Sequence, residues 1–220
     1  MTFACRRAYG GDGSHYLTIY TKSVLFAKAN GNMTTGCIHV GAATTNSNEN
    51  YNYTDRSRSA HCQPFSATPD SLYVWVSFYA ASSSSQAQIT AILHGDSDFK
   101  SPNQDEQTGL YSGKAQARFT RTTSSASQMQ WQQIKVPFNY NGTAEPHYML
   151  VNMTTNRNPG EGSANDSLSI DDIEFIYSAW LDNIALNGNA IEGFERGVIG
   201  YSAVLPDTAA LAAAVRSWSS

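Results

Sequence analysis

The sequence contains few charged residues. Asp, Glu, Lys and Arg together make up 15% of its 220 residues, against roughly 25% in ordinary soluble domains. Acidic residues outnumber basic ones by 18 to 14, which gives a formal net charge of −4. A nucleic-acid-binding surface needs a concentration of Lys and Arg that neutralises phosphates. We therefore expect no nucleic-acid partner.

Long apolar runs are also missing from the sequence. No stretch approaches the ~20 apolar residues that a membrane-spanning helix needs. Residues 1–5 are followed directly by Arg6 and Arg7, without the apolar segment of an export signal. Two explanations stay open: a cytosolic protein, or a sequence that begins inside a longer, exported precursor. In the second case we expect membrane attachment only through a lipid anchor that this sequence does not contain.

Cysteine is scarce as well, with Cys5, Cys37 and Cys62 only. A small disulfide scaffold has more cysteines, and a zinc site has them at short, regular spacings. We interpret these three as buried or half-buried free thiols. The sequence also lacks the Gly-x-Ser-x-Gly, P-loop and His-Glu-x-x-His motifs, so no residue is marked as catalytic.

Small polar and aromatic residues take the place of the missing charges. The sequence has 26 Ser, 18 Thr and 16 Asn, together with 12 Tyr, 9 Phe and 4 Trp. Hydroxyl and amide groups give a neutral, hydrated surface that donates and accepts hydrogen bonds. Such a surface is typical of proteins that face sugars or the extracellular medium.

Short strands separated by polar loops are the dominant pattern. In Ser71–Tyr79, Leu72, Val74, Val76 and Phe78 alternate with a second row that contains Tyr73, Trp75 and Tyr79, as on the two faces of a strand. The other segments with a strand pattern are residues 15–21, 36–41, 86–94, 114–120, 131–138, 147–154 and 167–177. Residues 44–58, 99–113 and 156–165 are rich in turn-forming or polar residues and are predicted as loops.

Strands at this spacing predict an all-β fold, a two-sheet antiparallel β-sandwich of the jelly-roll type. We assign this domain to residues 1–178. Residues 179–220 predict a partial β module, with strand patterns at 181–188, 191–194 and 201–206. Asp207 then precedes an Ala-rich run at 208–218, which predicts a short helical tail.

The first candidate site is the outward row of the strongest strand. If Leu72 and its neighbours face the core, Tyr73, Trp75 and Tyr79 lie on the opposite surface of the same sheet. Flat aromatic rings with a polar edge stack on sugar rings. The alternative is that loops or the second β module cover this face, and that the rings are ordinary packing.

The second candidate site is the polar loop that contains Asn50, Tyr51, Tyr53 and Asp55. Amide and carboxylate groups beside tyrosine rings could bind sugar hydroxyls in pairs. The alternative is a solvated loop without a ligand.

Two groups of acidic residues could hold a cation. Asp171 and Asp172 lie in the last strand of the sandwich, where alternation points one carboxylate inward. A buried carboxylate needs a partner, and a structural Ca²⁺ fits its oxygen ligands; a structural hydrogen bond or ion pair is the alternative. Residues 94–98, with His94, Asp96 and Asp98, could hold a metal or form an acid–base pair, or could be a simple turn.

Three segments resemble a known family: residues 69–76, residues 131–140 and residues 166–177, with support from residues 35–41, 50–55 and 93–96. They are similar to the Putative Carbohydrate Metabolism domain family of Bacteroides-type bacteria. The resemblance implies an exported jelly-roll domain, often a lipoprotein, associated with glycan-utilisation loci. Residues 186–194 resemble the small immunoglobulin-like module that accompanies such domains. The resemblance implies no catalytic residue.

Together, the residues and the resemblance predict non-catalytic carbohydrate binding at the bacterial cell surface, within a glycan capture or processing complex. The expected ligand is an oligosaccharide or polysaccharide, and other outer-membrane glycan-uptake proteins are expected partners. The expected location is the cell surface or outer membrane, with the periplasm as the alternative. Two other functions stay open: a glycoside hydrolase or lyase on the same sandwich, which needs two carboxylates across a cleft, and a structural or adhesion module that binds a protein.

Overall fold

The computed structural model of the chain describes residues 16–24, 27–177, 184–186 and 189–192. Its described residues form antiparallel strands, with one short 3₁₀ helix at Ser59–His61 and no α-helix. None of their helices is long or apolar enough to cross a membrane. The strands, in chain order, are β1 (Leu17–Tyr20), β2 (Lys22–Val24), β3 (Ala27–Ala29), β4 (Asn32–Thr34), β5 (Cys37–Val40), β6 (Asn50–Tyr53), β7 (Gln63–Pro64), β8 (Ser71–Tyr79), β9 (Ala87–His94), β10 (Lys100–Ser101), β11 (Tyr111–Phe119), β12 (Gln132–Asn139), β13 (Tyr148–Thr154), β14 (Ser167–Ile176), β15 (Ile184–Leu186) and β16 (Asn189–Glu192).

The strands form a two-layer sandwich, as predicted, and β12 connects the layers. Sheet I has the order β1-β14-β8-β12, and sheet II has the order β11-β9-β13-β4, with β7 also paired to β13. Between Gln132 and Pro137, β12 pairs with β8; its last two residues, Phe138 and Asn139, pair instead with β11. One strand thus belongs to both layers, which is a common way to make the corner of a sandwich.

The main core lies between sheets I and II and follows the alternation of the strands. Leu72, Val74, Val76 and Phe78 of β8 are fully buried. Their partners come from both sheets: Ala87, Ile89, Ala91 and Leu93 of β9, Ala115 of β11, Val136 of β12, Met149, Val151 and Met153 of β13, and Leu168 and Ile170 of β14. Each large side chain buried in this way contributes roughly 1.5–3 kcal/mol of transfer free energy, so this interface is the main source of stability.

A second, smaller core lies on the outer face of sheet II. It contains Ile92, Phe99, Tyr111 and Leu150, packed against Leu110. Above it lies a three-stranded sheet of order β10-β6-β5, which we call the small sheet. Asn52 on β6 points into this layer and donates to Oδ1 of Asn152 at 2.9 Å. The outer face of sheet II is therefore covered over part of its area.

The structure has a strand in each segment of the sandwich that was predicted as one, Ser71–Tyr79 included, and it corrects two of the predicted loops. The predicted loop at residues 44–58 contains β6, and the predicted loop at residues 99–113 contains β10 and the start of β11. Both errors arise because these strands pack on a partly polar layer and carry no alternation of apolar and polar residues. Cys37 is buried and Cys62 half-buried, both as free thiols; Cys5 lies outside the described residues.

The chain divides into two compact units, Met1–Tyr177 and Ser178–Ser220. Of the second unit, the structure describes the antiparallel hairpin of β15 and β16. The predicted strand at residues 201–206 and the predicted helix at residues 208–218 lie outside the described residues.

Candidate functional site

The aromatic row of β8 lies on the outer face of sheet I, where alternation predicted it. Tyr73, Trp75 and Tyr79 are half-buried, in contrast to the fully buried inward row. Trp75 is flanked by Asp171 on β14 and Gln133 on β12. The ring thus has polar side chains on both neighbouring strands.

Two basic side chains lie against the tyrosine rings of this row. Nζ of Lys135 is 5.4 Å from the centre of the Tyr73 ring, and Cζ of Arg121 is 5.3 Å from the centre of the Tyr79 ring. Such cation–π contacts contribute about 0.5–1 kcal/mol at exposed sites. Both basic residues are exposed, and the guanidinium of Arg121 also donates to the carbonyl oxygen of Ala80.

The row is not continuous, because Ser77 lies between Trp75 and Tyr79 and is covered. Ser77 is only 3% exposed, and its Oγ accepts a hydrogen bond of 3.2 Å from the backbone N–H of Gln130. The next residue, Trp131, contacts Tyr16 edge-to-face, with ring centres 5.4 Å apart. The outer face of sheet I therefore presents Tyr73 and Trp75 as a pair, with Tyr79 separate from them.

Sequence reasoning missed Trp131 and Tyr16 as members of this face. Alternation along β12 would have indicated Trp131, because Gln133 and Lys135 follow it at spacings of two and both lie on the outer face. Tyr16 immediately precedes β1, and only the pairing of β1 with β14 brings it near.

In the second predicted site, the structure gives Asn50 and Asp55 local partners. Oδ1 of Asn50 accepts hydrogen bonds from the N–H groups of Gly41 and Ala42, both 3.1 Å long. The amide of Asn50 donates to the carbonyl oxygen atoms of Ala42 and Thr44. This side chain therefore closes the turn between β5 and β6.

Asp55 accepts hydrogen bonds within its own turn. The Ser57 hydroxyl donates at 2.5 Å and Nε of Arg58 at 2.7 Å. These bonds, that of Ser57 first, lower the pKa of Asp55 below its ordinary value. Like Asn50, Asp55 has a structural role in this loop.

Tyr51 and Tyr53 lie on the outer face of the small sheet, opposite in direction to Asn52. The ring of Tyr51 stacks on His39 at 4.7 Å between centres, and Nζ of Lys100 lies 4.7 Å from the same ring centre. Tyr53 meets Tyr51 edge-to-face at 5.8 Å. Tyr51 therefore has an imidazole ring and an ammonium group as neighbours.

The two acidic residues predicted to hold Ca²⁺ lie at a β-bulge. The pairing of β14 with β8 shifts between Asp171 and Ile173, and Asp172 has a positive φ of 39°. The bulge absorbs one residue, so the simple alternation that pointed one carboxylate into the core does not apply. Oδ1 of Asp171 accepts a 2.9 Å hydrogen bond from the N–H of Asp172.

The described part of the chain contains no group of three or more His, Cys, Asp or Glu side chains suited to a metal. Asp171 and Asp172 alone would supply only a fraction of the six to eight oxygen ligands that Ca²⁺ takes. The calcium site stays a prediction.

His94 is a buried structural residue. Its Nδ1 lies 3.0 Å from the carbonyl oxygen of Gly95 and its Nε2 lies 2.8 Å from the hydroxyl of Thr54. Its ring stacks between Phe99 and Tyr148, and burial lowers its pKa to about 4. Asp96 and Asp98 instead bind Arg56. The three residues do not form a common metal or acid–base site.

A concave site that sequence reasoning missed lies where β12 crosses to sheet II. Its volume is about 260 Å³. Lys114 lies opposite Asn139 there, and the loop between β10 and β11 contributes Asp105 and Glu106. Nζ of Lys114 lies 3.4 Å from Asp105 and 3.7 Å from Glu106. We call this concavity the switch pocket.

Asp105 is the least solvated carboxylate of the switch pocket, at 8% exposure. Burial raises its pKa above the ordinary value of 3.8, although the nearby charge of Lys114 acts in the opposite direction. Glu106, by contrast, is exposed. The pocket thus combines one buried carboxylate, one exposed carboxylate and one cation.

Comparison with known proteins shows the fold but no family. No family model matches the chain, and no curated protein matches it. Among solved structures, it is similar to a protein of Bacteroides thetaiotaomicron named a “putative glycoside hydrolase”, with a TM-score of 0.56 at 18% sequence identity. The match covers 78% of this chain and 56% of that chain, so this chain spans little more than half of that protein's length. An identity this low shows a common fold alone.

Proposed function

We propose that this β-sandwich binds carbohydrate without catalysis, and that the Tyr73–Trp75 pair on sheet I is the stacking surface. The observation that carries the proposal is the placement of two half-buried aromatic side chains at alternate positions of β8. Residues at this spacing are about 7 Å apart along a strand. The two rings can therefore contact neighbouring units of one sugar chain.

The surroundings of the pair supply the hydrogen bonds that a sugar needs. Gln133 lies opposite Trp75, and Lys135 and Glu174 flank Tyr73 on the neighbouring strands. An amide, an ammonium and a carboxylate group together donate to and accept from hydroxyl groups. An apolar ring with such a polar rim suits a pyranose, which has an apolar face and a polar edge.

The Bacteroides thetaiotaomicron protein with a similar fold adds support, because its name refers to glycosides. The resemblance to a glycan-associated family supports the same class of ligand. We extend the proposal to an exported protein at the cell surface or outer membrane, held by a lipid anchor and acting beside other glycan-uptake proteins.

One arrangement favours cleavage of a glycan, by a hydrolase or a lyase, as a second candidate function. Asp171 and Glu174 lie on β14 opposite Trp75 and Tyr73, so two acidic residues border the proposed stacking surface. Glycoside hydrolases use a pair of carboxyl groups close to the scissile bond. A catalytic pair predicts that Glu174→Gln abolishes cleavage of a bound glycan.

A polysaccharide panel tests the proposal with the full chain, its Trp75→Ala variant and Tyr51→Ala, which removes an aromatic ring from the second candidate site and so compares the two surfaces. We expect Trp75→Ala to weaken binding about tenfold or more, because the variant loses both the stacking contact and the buried apolar area. Tyr51→Ala should bind as the wild type does.

Three outcomes separate the alternatives. Equal binding by Trp75→Ala and wild type contradicts the proposed surface. Release of shorter products shows the hydrolase or lyase. Retention on no member of the panel contradicts carbohydrate binding and favours the module that binds a protein partner.

A further inference from the structure

We propose that the switch pocket is a second ligand site, which takes a single uncharged sugar unit with neighbouring hydroxyl groups. The proposal rests on the proposed function for the class of ligand. Its location is different, because the pocket lies beside β11 at the end of β12 and the Tyr73–Trp75 pair lies on β8.

The exchange of partners by β12 creates the concavity. The strand pairs with β8 up to Pro137 and with β11 at Phe138 and Asn139. Since β11 pairs with β12 only at Lys114 and Ala115, the two strands are not joined by pairing along the rest of their length. Side chains of Gln116 and Asn139 border the pocket there. The shape thus follows from the fold and needs no movement of a loop.

The charges of the pocket disfavour an acidic ligand. Lys114 carries one positive charge and lies between the two carboxylates of Asp105 and Glu106, so ionisation of all three leaves one net negative charge. An uronate or sulfated sugar would meet this charge at short range. An uncharged ligand meets no such repulsion.

The polar groups of the pocket match vicinal hydroxyls. The Asp105 carboxylate accepts a long hydrogen bond of 3.4 Å from Lys114, and a carboxylate can accept several shorter ones. Oδ1 of Asn141 accepts the Tyr111 hydroxyl at 2.6 Å, so Asn141 can offer a ligand its amide hydrogens. Asn139 and Gln116 add two exposed amides. Donors and acceptors thus both line a space of about 260 Å³, below the usual range of about 300–1,000 Å³ for drug-sized ligands.

Nuclear magnetic resonance of the ¹⁵N-labelled full chain tests the proposal with defined probes: D-glucose, D-galactose, D-mannose and D-xylose, with D-glucuronate as the acidic comparison. We expect at least one neutral sugar to shift the side-chain amide signals of Gln116, Asn139 and Asn141. Asn139→Ala and Asp105→Asn should each weaken that binding about tenfold, as for the loss of a hydrogen bond to a polar or charged group. Asn46→Ala, which removes an exposed amide from the loop between β5 and β6, is the matched control and should leave it unchanged.

The indole signal of Trp75 in the same spectra separates this proposal from the proposed function. Shifts at the indole without shifts at the pocket amides overturn the pocket and leave the stacking surface standing. Shifts at the pocket amides alone support the pocket and count against the stacking surface. Shifts at neither site overturn the pocket, and the polysaccharide panel then decides the stacking surface, which is proposed for a chain of sugars. An equal response to D-glucuronate overturns the preference for an uncharged sugar. Equal affinity of Asn139→Ala, Asp105→Asn and wild type also overturns the pocket.

Discussion

The outer faces of sheets I and II have different neighbours, although the two sheets share one core. On sheet II, Ile92 and Leu150 contact Phe99 and Tyr111 under the small sheet. On sheet I, the outward positions of β8 carry Tyr73, Trp75 and Tyr79, all half-buried. The first face contributes to stability through a second core, whereas the second leaves aromatic surface accessible. This contrast assigns the proposed stacking surface to the outer face of sheet I and the larger contribution to stability to the outer face of sheet II.

Of the variants that test this contrast, Phe99→Ala should change the free energy of unfolding most. Phe99 is fully buried and stacks on His94 at 4.8 Å between ring centres. We expect a loss of about 3 kcal/mol in the free energy of unfolding, at the low end for deletion of a buried ring. Hydrogen exchange in β5 and β6 should rise most, because the carbonyl group of Phe99 also accepts from the N–H of Thr54.

Trp75→Ala is the control for that experiment. Trp75 is half-buried on the other face, and we expect its loss to cost about 1 kcal/mol, since part of the ring remains hydrated in the folded state. Urea denaturation measures both variants. An equal cost for the two would mean that the two outer faces contribute alike, against the division of roles drawn above.

Asn52→Ala gives an intermediate expected effect, because it breaks the polar contact between the small sheet and sheet II. The amide of Asn52 donates to Asn152 at 2.9 Å, and its Oδ1 accepts from Asn32 at 2.8 Å. Removal of one partner from a buried pair costs about 2 kcal/mol, since the remaining group is left without its hydrogen bond.

The exposed residue Asn46 provides the comparison in the same denaturation experiment. Asn46→Ala should change the free energy of unfolding by less than about 0.5 kcal/mol, as for most surface substitutions. If Asn52→Ala is as mild as Asn46→Ala, water replaces the lost bonds and the small sheet is held by apolar contacts alone.

The main sandwich could be predicted from the sequence because its strands carry their own pattern. In β8, four inward apolar residues alternate with three outward aromatic ones, which shows both the strand and its two faces. The small sheet could not be predicted in this way. Its central strand alternates Asn with Tyr, and the inward Asn52 is satisfied by Asn152, which is 100 positions away.

The candidate sites show the same limit. The Tyr73–Trp75 pair follows from one strand, so alternation located it, although the cover over Ser77 could not be seen. The switch pocket combines the loop before β11 with the strands β11 and β12. Its acidic and basic groups become neighbours only through the change of pairing partner in β12. The spacing of residues in the sequence does not predict that change.

The smallest expected effect concerns pH and compares two aspartates with opposite pKa shifts. Asp105 in the switch pocket has a pKa raised by burial, whereas Asp55 in the loop after β6 has a pKa lowered by hydrogen bonds from Ser57 and Arg58. A lowered pKa in the folded state stabilises the fold above the ordinary value of 3.8, and this stability is lost as the pH falls through the folded-state pKa. A raised pKa has the opposite effect on stability, which declines as the pH rises from 3.8 through the folded-state pKa.

Substitution by asparagine removes each titrating group and shows whether its ionised form stabilises or destabilises the fold. Relative to wild type, Asp105→Asn should gain stability at pH 7 and lose this advantage as the pH falls towards 4, because the wild-type carboxyl then becomes neutral in its buried site. Asp55→Asn should be the less stable protein at pH 7, with a difference that shrinks as the pH falls below 4. Urea midpoints measured from pH 3 to pH 7 give both differences. If both stability differences change in the same direction with pH, the charge of Lys114 outweighs the burial of Asp105. The switch pocket would then hold a satisfied ion pair instead of a carboxylate available to a ligand.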